Sequence, residues 1–504
     1  MKFPKSTPSQ QQLILIILSA IYLICGGLQS FPQHFQYLTN NWDLGFHNQL
    51  VYHLANFEKP STTLWKEDVF LSNSFGDHCT FLMLLNAMSY YLFGSYSLLV
   101  CQILYGLIGL LGIYKLIQFR CNSTNLALVG VLLFISHYSL YSALDFDAHD
   151  NVYGMMFLPW ILCFYYKNNF KLFLISLIIF LLAREDLSLT SIMLGITIII
   201  FDYKENLRYG IACFIISLLY FIVTYKFIIP ALSPLPDGHY NAWRFGHIGG
   251  SITDIFIKFI KNPLEIISIL FDKPEKIDKW KLFLSTGGIL LLIKPKYLLL
   301  AVPTIAITCL SNDWSFWGNM YHYNILFAVL LPFVVISTSV LIKSVIYKRT
   351  FLFAAIITYI LVLNQHQYRD WKRFKRIFTY DYYHQRYNMD AIREGLSLIP
   401  SDAAVSASNN YTPHLAGREK VYFYPDIKDA EYIFINEDDA ENRFFPFANK
   451  EEFRNSVNKL KENKEYGIIF EKQEIFVLLK VSPIIKVKPL LPLTTKNYGK
   501  HEQL

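Results

Sequence analysis

The sequence predicts a mainly α-helical, polytopic transmembrane bundle carrying a small C-terminal α/β domain. Three observations lead there. Of 504 residues, 53% are hydrophobic, 16% aromatic and only 17% charged, against roughly 25% charged in a soluble domain. Mean hydropathy is +0.30 although residues 365–504 are visibly polar, so the rest is very apolar. Apolar runs of spanning length recur up to residue 364. Disorder, collagen and coiled coil are excluded, since each needs fewer aromatics or a strict repeat. A net charge of +7 is too modest for a nucleic-acid footprint. The seven cysteines (25, 79, 101, 121, 163, 213 and 309) include no C-x-x-C pair, so neither a disulfide framework nor a zinc site is indicated.

A bilayer core requires roughly 20 apolar residues per helix. Eleven spans are expected, near 11–30, 97–118, 125–141, 151–166, 171–183, 187–201, 209–229, 281–293, 297–311, 323–342 and 350–364. The first reads as an uncleaved anchor rather than a signal peptide. No A-x-A-like site follows it, and Ile24 before Cys25 does not suit lipoprotein cleavage.

Charge in alternate loops sets the orientation. One side collects Lys2, Lys5, Lys115, Arg120, Lys167, Lys171, Lys204, Arg208, Lys294, Lys296, Lys343, Lys348 and Arg349, opposed there by Asp202 and Glu205. Under the positive-inside rule this side is cytoplasmic. The other side receives Asp43, Asp77, Asp145, Asp147, Asp150, Glu185, Asp186 and Asp313. The expected location is the cell (inner) membrane, with a cytoplasmic N-terminus and an extracytoplasmic C-terminal domain. The domain boundary falls between 1–364 and 365–504. In the tail, Ala404–Ser408, Val421–Tyr424, Tyr432–Asn436 and Ile468–Val481 read as short strands, and Lys450–Lys464 as an amphipathic helix.

The chemistry-bearing residues cluster on the outer side. The loop of about 31–96 holds N-W-D-L-G-F-H-N-Q at 41–49 and F-G-D-H at 75–78. Apolar positions from Leu44 to Phe57 recur at helical spacing, predicting a helix along the membrane surface. Asp43 would stand just before its first turn, where a carboxylate also suits a helix cap. D-F-D-A-H-D at 145–150 and A-R-E-D at 183–186 open to the same side. Ionisable groups at a membrane boundary are costly unless hydrated, paired or used. Such a cluster suits a general base, or carboxylates and imidazole holding a divalent cation. Arg184, Arg244 and His78 suit contact with a phosphate, or structural ion pairs. Segment 254–271 reads as amphipathic, and the aromatic run 312–323 as an interfacial belt that ends in His322 and Tyr323.

One apolar anchor, a large outer loop with an early Asp, then an amphipathic segment ending in L-F-G follow in an order that resembles the GT-C superfamily of integral-membrane glycosyltransferases. The chain is more similar still to a bacterial and archaeal family of predicted membrane proteins within that superfamily, known only as a domain of unknown function. The matching residues are W-D-L-G-F-H-N-Q at 42–49, F-G-D-H at 75–78, L-V-C-Q at 99–102, D-F-D-A-H at 145–149, R-E-D at 184–186 and I-P-S-D-A-A-V-S-A-S-N-N-Y-T-P-H-L-A-G-R at 399–418. Cys79 and Thr80 follow His78 where many GT-C chains have two prolines.

The resemblance implies transfer of a sugar from a polyprenyl-phosphate carrier to an acceptor on the outer face. It implies an Asp or Glu of the first outer loop as base or cation ligand, here Asp43. The expected catalytic set is Asp43, Asp147, His149 and Asp150. The expected substrate-binding set is Asp77, His78, Arg184, Glu185, Asp186, Arg244 and His322. Some members of the superfamily bind a divalent metal and others work without one. If present here, Mg or Mn would fall to Asp43, Asp147, His149 and Asp150, and no other cofactor is expected. The expected partners are the bilayer, the polyprenyl-phosphate sugar, and a glycan, lipid or protein acceptor, with no nucleic acid. Two rivals differ in class: a transporter or flippase of envelope precursors, and a non-catalytic envelope-binding membrane protein. Transporters carry mid-span charges and related halves; here the acids sit at loop edges and no halves match.

Overall fold

A computed structural model describes residues 9–66, 69–71, 73–235, 242–250, 252–366, 374–384, 387–437 and 446–481. The chain begins with α1 (Gln10–Phe35), started by a capping box in which Ser9 and Gln12 satisfy each other's backbone. The first outer loop then contains α2 (Phe46–Ala55) and an antiparallel pair, β1 (Thr62–Lys66) and β2 (Val69–Leu71). The bundle continues through α3 (Ser97–Cys121), α4 (Thr124–Ile135), α5 (Tyr138–Asp145), α6 (Asp150–Met155), α7 (Leu158–Tyr166), α8 (Phe170–Ala183), α9 (Leu187–Phe201) and α10 (Tyr203–Val223). After it come α11 (Ile252–Lys261), α12 (Pro274–Ser285), α13 (Pro295–Leu310), α14 (Ile325–Ser339) and α15 (Val345–Gln365). One apolar core joins them, with Tyr22, Leu110, Phe134, Tyr153, Phe180 and Phe327 fully enclosed.

Among the described residues, five helices are long and apolar enough to cross a membrane alone: Gln10–Phe35, Met83–Cys121, Tyr203–Leu232, His322–Ser339 and Val345–Gln365. The expected span at 125–141 is the pair α4 and α5, bent by 44°. Those at 171–183, 187–201 and 297–311 are shorter apolar helices. The stretch 151–166 is two short helices, and 281–293 is the end of α12 followed by a 3-10 turn at Gly288–Leu292. Helices buried among neighbours need not match the bilayer in length, because neighbouring protein satisfies what lipid cannot. The segment expected to be amphipathic exposes Phe259, Ile260, Leu264 and Ile267.

Charge is sorted by end, as the sequence indicated. At one end Asp202 Oδ2 accepts from the Tyr165 hydroxyl and lies 3.6 Å from Lys296, while Arg208 donates to Asn168. The carboxylates of segments 43–77, 147–150 and 185–186 gather at the other end, where the 41–49 loop meets the C-terminal domain.

That domain is a five-stranded mixed sheet in the order β4-β3-β5-β7-β6, with β3 (Val405–Ala407), β4 (Val421–Phe423), β5 (Tyr432–Asn436), β6 (Tyr466–Lys472) and β7 (Ile475–Lys480). β3 runs parallel to β4 and β5; β7 is antiparallel to both β5 and β6. Alternation assigns the faces. Phe434 and Val477 point to α16 (Met389–Ser397), while Ile433, Ile435 and Leu478 point to α17 (Lys450–Lys461). The stretch expected as one strand at 468–481 is the β6–β7 hairpin. Tyr37 and Leu64 belong to the core on the α16 side, so the first outer loop and the domain share packing. α2 is therefore not a surface helix. Leu50 and Val51 are fully enclosed, and its polar face is buried too: Gln49 donates to the Arg418 and Glu419 carbonyls, and Asn48 to that of Pro413.

Candidate active site

Asp43 is placed by a loop clamped from both sides. The Asn40 amide donates to Asp147 Oδ2 at 3.1 Å, and the Asn41 amide to Asn409 Oδ1 at 2.9 Å. Asn409 returns a bond to Asn40 Oδ1, and Asn41 reaches the Leu64 carbonyl. Held between these anchors, Asp43 adopts φ 70°, ψ −74°. This is a strained γ-turn conformation costing about 1–3 kcal/mol, of the kind that persists where surroundings over-determine it. The helix-cap role does not materialise, because Gly45 occupies the N-cap of α2 and no side chain caps it. Among the described residues the Asp43 carboxylate makes no hydrogen bond. It keeps 33% of its side-chain exposure, and His149 Nδ1 stands 3.8 Å away.

Burial, then the neighbouring Asp150 charge, raise the Asp43 carboxyl to about 7, with Asp77 adding and Arg184 and His78 opposing. His149 is the converse. Its Nε2 donates to the Phe146 carbonyl at 2.6 Å, leaving Nδ1 as the lone-pair nitrogen on the Asp43 side. Burial first, and His47 second, hold its pKa well below the ordinary histidine value, so the ring is neutral. His322 packs on it with ring centroids 3.6 Å apart.

Around this open pair runs a closed network. Arg184, in the break between α8 and α9, donates to Asp186 Oδ1 at 2.9 Å and to Asp150 Oδ1 at 3.2 Å. Burial alone would raise Asp186, but Arg184 holds it below its usual range. Glu185 reaches the other way: Oε1 is 2.6 Å from His78 Nδ1, and Oε2 accepts from the Cys79 amide at 2.9 Å. Burial would lower His78, yet Glu185 and Asp77 outweigh it and push the imidazole up to about 10. Gly76, just before Asp77, lets this loop pack against the backbone at Leu232, since a Cβ there would lie 2.4 Å from the Leu232 carbonyl oxygen.

The structure thus gathers Asp43, Asp77, His78, His149, Asp150, Arg184, Glu185, Asp186 and His322. Asp147 lies at the edge, 4% exposed and at φ 56°, its carboxylate turned to the Asn40 amide. Arg244 stands a shell further out. It pairs with Asp313 at 3.0 Å and lies over Phe316, which stacks on Tyr323, the neighbour of His322. Asp145 belongs to a separate buried link with Arg376 and Gln29.

Three residues outside the expected catalytic and binding sets, each within one of the matching motifs, complete the site. His47 lies one helical turn after Asp43, and that i, i+4 spacing was the available signal. Gln102 braces the 143–149 loop by donating to the Ala143 and Asp147 carbonyls and accepting from the His149 amide. Asn409 clamps the Asp43 loop from the C-terminal domain. Among the described residues no three His, Cys, Asp or Glu side chains converge as metal ligands. Of the four expected ligands, Asp147 bonds the Asn40 amide and His149 Nε2 a carbonyl, while Asp43 and Asp150 Oδ2 keep free acceptor positions among the described residues.

Several buried polar atoms at the site have no hydrogen-bond partner among the described residues: His47 Nδ1, Asp77 Oδ1, Asp150 Oδ2 and both ring nitrogens of His322. Interiors rarely leave such atoms unsatisfied, so their concentration beside an unbonded carboxylate marks a place where a polar ligand or water completes the bonding.

The fold is that of a polytopic membrane protein. It is similar to that of ArnT from Cupriavidus metallidurans, whose structure was solved bound to undecaprenyl phosphate. The TM-score is 0.54 at 11% identity, over 94% of this chain and 99% of that one. The chain belongs to the predicted membrane protein family DUF2079, whose model matches residues 33–477, as the motifs between 42 and 418 indicated. Comparison with curated proteins gives no match.

Proposed function

We propose that the protein is an integral-membrane glycosyltransferase that takes a sugar from a polyprenyl-phosphate donor, with Asp43 as the base. The observation that carries this reading is the Asp43 carboxylate. It is strained in its backbone, unbonded, raised to about 7, and set among unpartnered polar atoms in an ArnT-like fold. Strain and a displaced pKa together favour a functional over a structural role.

In the proposed reaction the acceptor hydroxyl loses its proton to Asp43 as its oxygen attacks the anomeric carbon. The carbon–oxygen bond to phosphate breaks on the opposite face, and its electron pair leaves with polyprenyl phosphate, inverting the anomer. Neutral His149 and His322 would bond sugar hydroxyls. Arg184, held by Asp150 and Asp186, would keep the paired groups in place beside the phosphate. No step is routed through a metal. A cavity of about 620 Å³ along α1, lined by Leu23, Ile24, Leu28, Phe31 and Tyr96, supports lateral entry of an isoprenoid chain. The face bearing the site would be extracytoplasmic, by the charge sorting of the two ends.

The test is incubation of purified protein with a panel of polyprenyl-phosphate sugars and envelope extract. Release of polyprenyl phosphate by wild type, and not by Asp43→Asn, is expected. No release from any donor by folded protein would favour a transporter or binding module.

A further inference from the structure

The far end of the bundle holds a second cavity, of about 450 Å³, lined by Lys115, Gln118, Phe119, Asn122, Ser123, Thr124 and Lys167. Gln102 of α3 touches the acidic site, and Gln118 of the same helix lines this cavity. Sixteen residues at 1.5 Å rise separate them by about 24 Å, close to the thickness of a hydrocarbon core. The cavity therefore sits at the opposite membrane boundary from Asp43.

Its walls come from three places. α3 supplies Lys115, Gln118 and Phe119; the α3–α4 connection supplies Asn122 and Ser123; the end of α7 supplies Lys167. Asn122 turns the chain at φ 47°, and Ser123 Oγ caps α4 at the Leu126 amide. Gln118 Nε2 is held by the Tyr114 and Thr124 hydroxyls. Two ammonium groups from different helices thus face a cavity whose lining contains no carboxylate. Among the described residues neither forms an ion pair, although Lys296 close by has Asp202. The Lys167 ammonium lies 5.5 Å from the ring centroid of Phe119, so it reaches the α3 wall that also bears Lys115. Lys115 and Lys167 stand near the C-terminal ends of α3 and α7, and the N-terminus of α4, the positive end of its dipole, opens on the same cavity at Ser123; two cations with no carboxylate beside them there favour an anion. Phe119, 48% exposed, gives the rim an apolar edge at bilayer level.

We propose that this cavity binds the phosphate headgroup of an anionic phospholipid, its acyl chains lying against Phe119 and the lipid-facing side of α3. The cavity has the size of a small-ligand site, about 300–1,000 Å³. A basic pocket between helix ends is where such headgroups are held. The site is independent of the chemistry at Asp43.

The test is thermal unfolding of the full chain in detergent, titrated with phosphatidylglycerol, phosphatidylcholine or inorganic phosphate. Phosphatidylglycerol alone is expected to raise Tm saturably. Lys115→Ala/Lys167→Ala should weaken its apparent affinity about 30-fold, the effect of two lysines near a phosphate. Lys115→Arg/Lys167→Arg should retain binding, which guards against an alanine variant that fails to fold. An equal response to phosphatidylcholine, saturation by inorganic phosphate alone, or an unchanged affinity in the alanine variant would each overturn the proposal.

Discussion

The two halves of the acidic site are built from the same residue types and behave oppositely. On the Arg184 side, almost every charge has a partner: Asp186 and Asp150 with Arg184, Glu185 with His78 and the Cys79 amide. On the Asp43 side, among the described residues, the carboxylate is unbonded, His149 turns a bare nitrogen towards it, and His322 has no partner at either nitrogen. A buried ion pair holds a shape, and unmatched polar groups await something to complete them. The first half is scaffold. The second is where a substrate fits.

That division can be broken by substitution, and the largest effect is expected at Asp43. Asp43→Asn keeps the size and suits the positive φ, so thermal unfolding should barely change. Donor turnover should fall by about 10²–10⁴, the usual worth of a general base. A change at Arg184 should do the reverse. Arg184→Ala leaves Asp150 and Asp186 buried and uncompensated, a loss of about 3–5 kcal/mol visible as a lowered midpoint in chemical or thermal unfolding. A variant as stable as wild type would show that the paired half is not scaffold.

Asp147 sharpens the comparison with the smallest effect. Both Asp43 and Asp147 lie in outer loops at positive φ, but Asp147 spends its carboxylate on the Asn40 amide. Asp147→Asn retains an acceptor oxygen and should stay within about threefold of wild-type kcat, whereas Asp147→Ala should lose both kcat and stability, by about 1.5–3 kcal/mol. Inactive but stable Asp147→Asn protein would move the base from Asp43 to Asp147.

Much of this was legible in the sequence. Apolar runs and sorted charge located the helices, and the period-two pattern located most strands of the C-terminal sheet. F-G-D-H and R-E-D, more than a hundred residues apart, meet as His78 and Glu185. What was hidden depends on long-range contacts. α2 reads as a surface helix because its apolar stripe is visible, whereas the domain that covers Asn48 and Gln49 lies over 350 residues away. Asp147 reads as catalytic because nothing local reveals the Asn40 amide as its partner. The β6–β7 hairpin escaped because Gln473, at φ 55°, makes its turn without the Asn-Gly or Gly signal such turns usually carry.

The central claim is that Asp43, raised to about 7, is the base. It is tested most directly by the pH dependence of polyprenyl-phosphate release. Below its pKa the carboxyl holds a proton and cannot accept another, so kcat/KM should climb about tenfold per pH unit from 5 and level off above about 7. The residual rate of Asp43→Asn should lack that limb. A wild-type rate already level at pH 5, or the same limb persisting in Asp43→Asn, would contradict the account.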